Sequence, residues 1–187
     1  MQTYETAETL KKRLKELLGV EALKKGTFIL SSGKESPYYL DGRVITLTPE
    51  GAYLVGSLVL KMTEGLRIDA IGGPTLGADP IVGAVAALSH INGVPLKTFI
   101  VRKAAKGHGT QKQIEGPRLA RGASVVIVDD VATTGKALIE AKAALDAEGL
   151  RIIKAVVIVD RLEGAQENLA SCGVPLESIF TIRDFGL

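Results

Sequence analysis

A chain of 187 residues with 46% hydrophobic residues and 21 glycines has the length and apolar content of one globular α/β domain with a real core, which excludes a disordered chain. Its net charge of +2 offers no electrostatic case for nucleic acid or a membrane surface, and no apolar run approaches the ~18 residues of a membrane-spanning helix. One cysteine, Cys172, excludes an internal disulfide and suits a reducing cytoplasm; it reads as a small buried residue, and the N-terminal MQTYETAETLKKR lacks the apolar centre of a signal peptide.

In chain order, Leu10, Leu14, Leu17 and Leu18 form an i, i+4, i+7, i+8 stripe with lysines opposite. That predicts an amphipathic helix over 7–18, capped by Thr6. A second short helical turn follows Gly19 and runs to Lys25, where Gly26 ends it. Phe28-Ile29-Leu30 and Tyr38–Asp41 read as strands around a turn-rich loop, an antiparallel hairpin outside the main sheet. Thr48 and Pro49 are N-cap and N1 signals for a helix over 49–63. Asp69–Gly72 reads as a strand, Gly72–Gly77 as a tight loop, and 78–91 as a helix too apolar to face solvent. His90, near the end of that helix, reads as structural.

Lys97–Val101 is the next strand. Residues 102–117 then show almost no apolar periodicity. Connections beyond about 12–15 residues in compact domains are usually functional or disordered. This one is basic and hinged by glycines, as a lid over polyanionic phosphates should be. Val125–Val128 is apolar throughout, as a parallel strand covered on both faces should be. It stops at Asp129 and Asp130. The loop Ala132-Thr133-Thr134-Gly135 follows, with a helix from about Gly135 to Glu148 and Gly149 as its stop. Ile152–Val159 is a strand ending in Asp160-Arg161, and a helix (about 163–171) and strand (178–183) close the sheet. With no repeat or linker, residues 1–187 read as one domain, a hood over about 1–45 on a core over about 46–187.

The loop after Asp130 carries the chemistry. Backbone N–H groups in a tight turn form an anion cradle, and the following helix points its positive end at the same spot. Two threonine hydroxyls add donors. The acid pair repels phosphate but suits hydroxyl groups or a hydrated magnesium ion. A sugar phosphate is the simplest ligand with both features. An ordinary strand–loop–helix competes with this reading, as does a phosphoacceptor receiver, which would not set an anion cradle directly after its acids. A P-loop needs glycine where Asp130 stands and is excluded.

SVVIVDDVATTGKA closely resembles the phosphoribosyl-pyrophosphate (PRPP) signature of type I phosphoribosyltransferases. FILSSGKESPYYLD resembles the hood of the orotate phosphoribosyltransferases among them, and Arg-Lys-x-x-Lys-x-His-Gly at 102–109 resembles their catalytic loop. The resemblance covers essentially the whole chain. It implies an α/β fold with a central, mostly parallel sheet flanked by helices and a small N-terminal hood. The implied reaction is magnesium-dependent transfer of phosphoribosyl from PRPP to orotate, giving orotidine 5′-monophosphate and pyrophosphate in pyrimidine synthesis. It implies catalytic roles for Asp129, Asp130, Lys103, Lys106 and His108, with Asp129 and Asp130 meeting the metal through water. PRPP and pyrophosphate would be held by Arg102, Lys103, Lys106, His108, Thr75, Leu76, Gly77 and the run Asp129, Asp130, Val131, Ala132, Thr133, Thr134, Gly135 and Lys136. Orotate would meet Ser31, Tyr38, Tyr39, Thr133 and Arg161. The implied working unit is a cytoplasmic homodimer whose catalytic loop closes over the neighbouring subunit's site, with no nucleic-acid or membrane partner. Two positions depart from the family pattern: Ser31 and Gly77 stand where many members carry a basic residue. A purine or uracil phosphoribosyltransferase, or a regulatory protein sensing PRPP on this fold, are the competing readings.

Overall fold

The computed structural model describes residues 5–29, 35–103 and 113–187. Its centre is a six-stranded sheet in the order β5-β4-β3-β6-β7-β8. The strands are β3 (Ala70–Pro74), β4 (Lys97–Val101), β5 (Ile114–Glu115), β6 (Ser124–Ala132), β7 (Arg151–Asp160) and β8 (Leu176–Thr181). All pairings are parallel except β4 with β5. A separate antiparallel pair, β1 (Leu23–Ile29) and β2 (Glu35–Leu40), forms the hood hairpin.

Val125–Val128 of β6 and Ala155–Val159 of β7 are apolar on successive residues because both faces are covered. Val126 and Val128 enter one hydrophobic cluster with α1 (Ala7–Leu17), α3 (Pro49–Met62) and α4 (Ala78–Ile91). Val125 and Ile127, between them, enter the opposite cluster with α5 (Lys136–Ala147) and α6 (Ala165–Ser171). β7 divides in the same way, Val156 and Ile158 against Ala155 and Val157. Each fully buried aliphatic side chain contributes on the order of 1.5–3 kcal/mol, so this double face fixes the register of the strands that carry the site. Leu10, Leu14 and Leu18 share the first cluster with Tyr38 and Leu40 of the hood, so the hood is packed onto the core.

The capping signals hold. Thr6 Oγ1 accepts from Thr9 N–H, and Thr48 Oγ1 accepts from Gly51 N–H ahead of Pro49. Elsewhere the sequence reading needs correction. The helical turn after α1 spans Leu18–Ala22 and stops there, so the chain over Leu23–Lys25 is strand, paired with Leu40–Tyr38. Gly26, at φ +151°, marks the bulge between Lys25 and Phe28 rather than a helix stop. β6 does not stop at Asp129: its ladder with β7 continues through Val131↔Val159 and Ala132↔Asp160, because backbone pairing is indifferent to the charges on the side chains.

A short helix, α2 (Arg43–Thr46), is too brief to show periodicity; Asp41 Oδ1 accepts from Arg43 N–H at its start. Ile114–Glu115 pairs with β4, so the long basic connection ends in an edge strand. Cys172 is exposed at the end of α6, not buried.

Candidate active site

β3 and β6 are neighbours, yet the chain leaves β3 toward β4 on one side and only later returns to β6 on the other. This is the topological switch point, where open α/β sheets bind ligands beyond the carboxyl ends of their strands. Two loops meet there. One is Thr75–Gly77 after β3, with a cis peptide between Thr75 and Leu76; the other is Thr133–Gly135 after β6. Both loops are among the residues that the resemblance assigns to PRPP and pyrophosphate.

The first loop presses on the acid pair at the end of β6. A Cβ on Gly77 would stand 2.1 Å from Asp129 Oδ1 and 2.5 Å from Asp130 Oδ1. A basic side chain has no room there without movement, which explains in steric terms why glycine occupies this position. From the other side, a Cβ on Gly42 would stand 2.8 Å from Asp130 Cβ. Asp129 Oδ1 accepts from Asp130 N–H at 3.0 Å, and Asp130 Oδ1 accepts from Val131 N–H at 2.8 Å.

Burial pushes Asp129 well above the usual carboxylate range, and the charge of Asp130 adds to this. Burial also raises Asp130, while the nearby Arg43 guanidinium opposes the shift. Asp79 extends the acidic character: burial raises its pKa, and its Oδ1 is buried with no hydrogen bond among the described residues. Two adjacent carboxylates that resist ionisation call for a cation or for hydroxyl donors. Among the described residues no three acids, histidines or cysteines form a metal cage. The pair fits an ion that is held through one or two carboxylates and keeps its waters, as magnesium does.

The second loop has the backbone form of an anion cradle. Gly135, at φ +76°, turns the chain left-handed into α5, whose N-terminus has no side-chain cap. Thr133 is half-buried and Thr134 exposed. Asn168 Nδ2 donates to Thr134 O at 2.9 Å, tying the loop to α6. The Lys136 side chain is exposed and lies along α5, 3.7 Å from Glu140, so it is the backbone here that faces the loop.

Beside this loop stands Arg161. It follows β7, and its backbone N–H donates to Ala132 O at 2.9 Å, beside the cradle. Asp160 and Arg161 are both buried, which rules out a surface pair. The Arg161 guanidinium reaches the Tyr38 hydroxyl and Ser36 Oγ on the hood. The two tyrosines separate, because neighbouring strand residues face opposite ways. Tyr38 is buried toward Arg161, whereas Tyr39 is 40% exposed and packs on Phe28, with its ring centre 5.7 Å away.

Of the basic loop, Arg102 is paired with Glu115 at 3.3 Å and Lys103 is exposed. Lys106, His108 and Ser31 lie outside the described residues. Sequence reasoning missed Ser36, Glu163, Gly42, Asp79 and the Asp41–Arg43 pair. A visible signal was Asp-Gly-Arg directly after the hood strand; the other contacts are long-range.

Known proteins similar to this chain point to one family. A family profile described as the phosphoribosyl transferase domain matches residues 45–185. An orotate phosphoribosyltransferase from Nostoc sp. is 44% identical over 94% of this chain and 85% of its own. One from Aquifex aeolicus is 45% identical over 84% and 85%. Among solved structures, the Mycobacterium tuberculosis orotate phosphoribosyltransferase in complex with PRPP superposes with a TM-score of 0.80 at 32% identity, over 95% of this chain and 99% of that one. An adenine phosphoribosyltransferase from Leishmania tarentolae, at 16% identity and TM-score 0.67, shares the fold. A two-loop site at the switch point, an acid pair and full-length similarity all converge: this chain belongs to the phosphoribosyltransferase family, among the orotate phosphoribosyltransferases.

Proposed function

We propose that this chain transfers the phosphoribosyl group of PRPP to orotate, releasing pyrophosphate and forming orotidine 5′-monophosphate for pyrimidine synthesis. The observation that carries the reading is the convergence of an anion cradle, a buried acid pair and a buried arginine around one strand end.

The reaction is displacement at the anomeric carbon through an oxocarbenium-like state. Backbone N–H groups of Ala132–Lys136 hold the 5′-phosphate. Asp129 and Asp130 accept from the ribose hydroxyls, and their charge favours the cationic sugar. Preorganised electrostatics of this kind is usually the largest catalytic term. The same carboxylates would hold hydrated magnesium, which when bound offsets charge on the departing pyrophosphate. Leu76 and Gly77 offer backbone donors to pyrophosphate, Thr75 N–H being taken by Val101 O at 3.0 Å, and Arg102, Lys103, Lys106 and His108 meet its charge and exclude water. Arg161 receives the orotate carboxylate, for which a planar guanidinium is suited. Orotate reacts as its ring anion, so no strong general base is needed.

The working unit is a homodimer with the basic loop donated across the interface. Support for this comes from Leu47 and Leu76, apolar and 73% and 64% exposed beside the cleft of about 450 Å³ that Asp41, Arg43 and Asp79 line.

Orotate absorbance tests the function. Its loss should require both PRPP and magnesium and should yield orotidine monophosphate and pyrophosphate. Turnover of a purine or uracil in its place would overturn the base assignment. PRPP binding without any turnover would make the protein a sensor.

A further inference from the structure

Arg161 joins two parts of the molecule that the chain keeps far apart. Its root is fixed beside the end of β6 through the bond to Ala132 O. Its head reaches the hood: Nε donates to the Tyr38 hydroxyl at 3.0 Å and Nη2 to Ser36 Oγ at 3.1 Å. The guanidinium carbon also stands 4.5 Å from the Tyr38 ring centre. Ser36 is itself held, with Oγ donating to Tyr38 O at 2.8 Å and accepting from Tyr38 N–H at 3.4 Å. Glu163 Oε1 lies 2.9 Å from the same Nε.

These partners differ in kind. Ser36 and Tyr38 are buried, so they fix the direction of the guanidinium without cancelling its charge. Burial is the main cause holding the Tyr38 hydroxyl above its ordinary pKa, so it remains neutral. Glu163 brings the countercharge, but its side chain is 35% exposed against 6% for Arg161, and it shares with Tyr38 one N–H that can point well at a single acceptor. A guanidinium has five N–H donors. The contacts use Nε and Nη2; among the described residues none engages Nη1. An oriented, desolvated guanidinium with donors remaining is a preorganised carboxylate receptor.

We propose that Ser36 and Tyr38 are positioning residues for the pyrimidine base: they aim Arg161 at its carboxylate and latch the hood to the sheet in the same contacts. This rests on the base assignment above. Tyr38 then acts through Arg161 instead of by stacking on the base.

The test is steady-state kinetics of Tyr38→Phe and Ser36→Ala in the full chain. Each substitution removes one hydroxyl, and Tyr38→Phe keeps the ring. Hydrogen bonds to charged groups are the stronger class, so the orotate KM should rise about tenfold in each, about 1.4 kcal/mol. The PRPP KM should stay within about twofold, because the cradle is untouched. Competitive inhibition by uracil, which has no carboxylate, should be unchanged in both variants. A merely structural role would weaken uracil and orotate together. An unmoved orotate KM in both variants, equal weakening of orotate and uracil, or a PRPP KM that rises in step would overturn the proposal. Should Tyr38→Phe fail to fold, Ser36→Ala decides alone. Wild-type protein without orotate turnover would sink the base assignment itself, a different failure from wild-type activity with indifferent variants.

Discussion

Four helices of this protein begin in two ways. α1 and α3, which pack against each other, start at threonines whose hydroxyls accept from the first turn. α4 and α5, which start at the switch point, have glycine at the N-cap and no side-chain cap at all. A helix leaves its first four N–H groups without intrahelical partners, and a cap satisfies one of them. α1 and α3 supply that cap from their own side chains. α4 and α5 leave the donors open, as the proposed phosphate and pyrophosphate sites require, at the cost of a less stable free state.

The acid pair extends the contrast, since burying two adjacent carboxylates is costly to the free protein and suits the proposed ligand. Asp129 titrates above its ordinary range in the folded state. A raised folded pKa means stability that is fully present below the unfolded value, about 3.9, and lost as pH rises through the folded value. Asp129→Asn removes the ionisation while its Oδ1 can still accept from Asp130 N–H. The expected outcome is a higher melting temperature than wild type at pH 7, a gap that closes toward about pH 4, and a fall in kcat of about 10²-fold or more. Thermal denaturation across pH together with turnover checks both. Full activity in the variant would remove Asp129 from the mechanism, and a lower melting temperature at pH 7 would reverse the sign argued here.

Gly77 gives the next largest effect. Alanine there must displace Asp129 or Asp130, whose oxygens lie 2.1 and 2.5 Å from the new carbon. Both carboxylates are held by backbone N–H groups, so the loop must lift instead. Gly77→Ala should lower kcat/KM for PRPP about tenfold, about 1.4 kcal/mol of transition-state stabilisation, with orotate KM little changed. Kinetics against each substrate decides. Unchanged PRPP kinetics would mean that the Thr75–Gly77 loop does not face pyrophosphate.

What the sequence made legible follows the range of the interactions. Thr6, Thr48-Pro49, the β6 signature and the Asp160-Arg161 strand end are local patterns, and each stands where the spacing implied. The contacts of Arg161 with Ser36 and Tyr38 cross more than a hundred residues, and no spacing rule reaches so far. Likewise, the resemblance marks Gly77 as a departure, but only the packing of its loop on β6 reveals why a side chain is excluded. β6 outran its apolar stretch because pairing with β7, not side-chain polarity, ended it. Cys172 was misread for a related reason: its exposure depends on how α6 ends against its neighbours, not on the residue type.

The smallest predicted effect is the sharpest control on the contrast between helices. Thr6 caps α1 through a 3.2 Å bond from Thr9 N–H, with the Thr9 hydroxyl 2.9 Å from its own, and is exposed. Thr6→Ala should therefore destabilise the fold by about 0.5–1 kcal/mol, the low end for a lost cap, and lower the melting temperature by roughly 1–4 °C. Nothing in α1 faces the switch point, so kcat and both KM values should stay at wild type. Calorimetry and the orotate assay on one preparation make the comparison. A variant that loses activity in proportion to stability would mean that the capped helices also tune the site, and the division between stabilising and ligand-ready helix starts would fail. Loss of stability alone is what the division requires, because the N–H that Thr6 satisfies has no ligand to take its place.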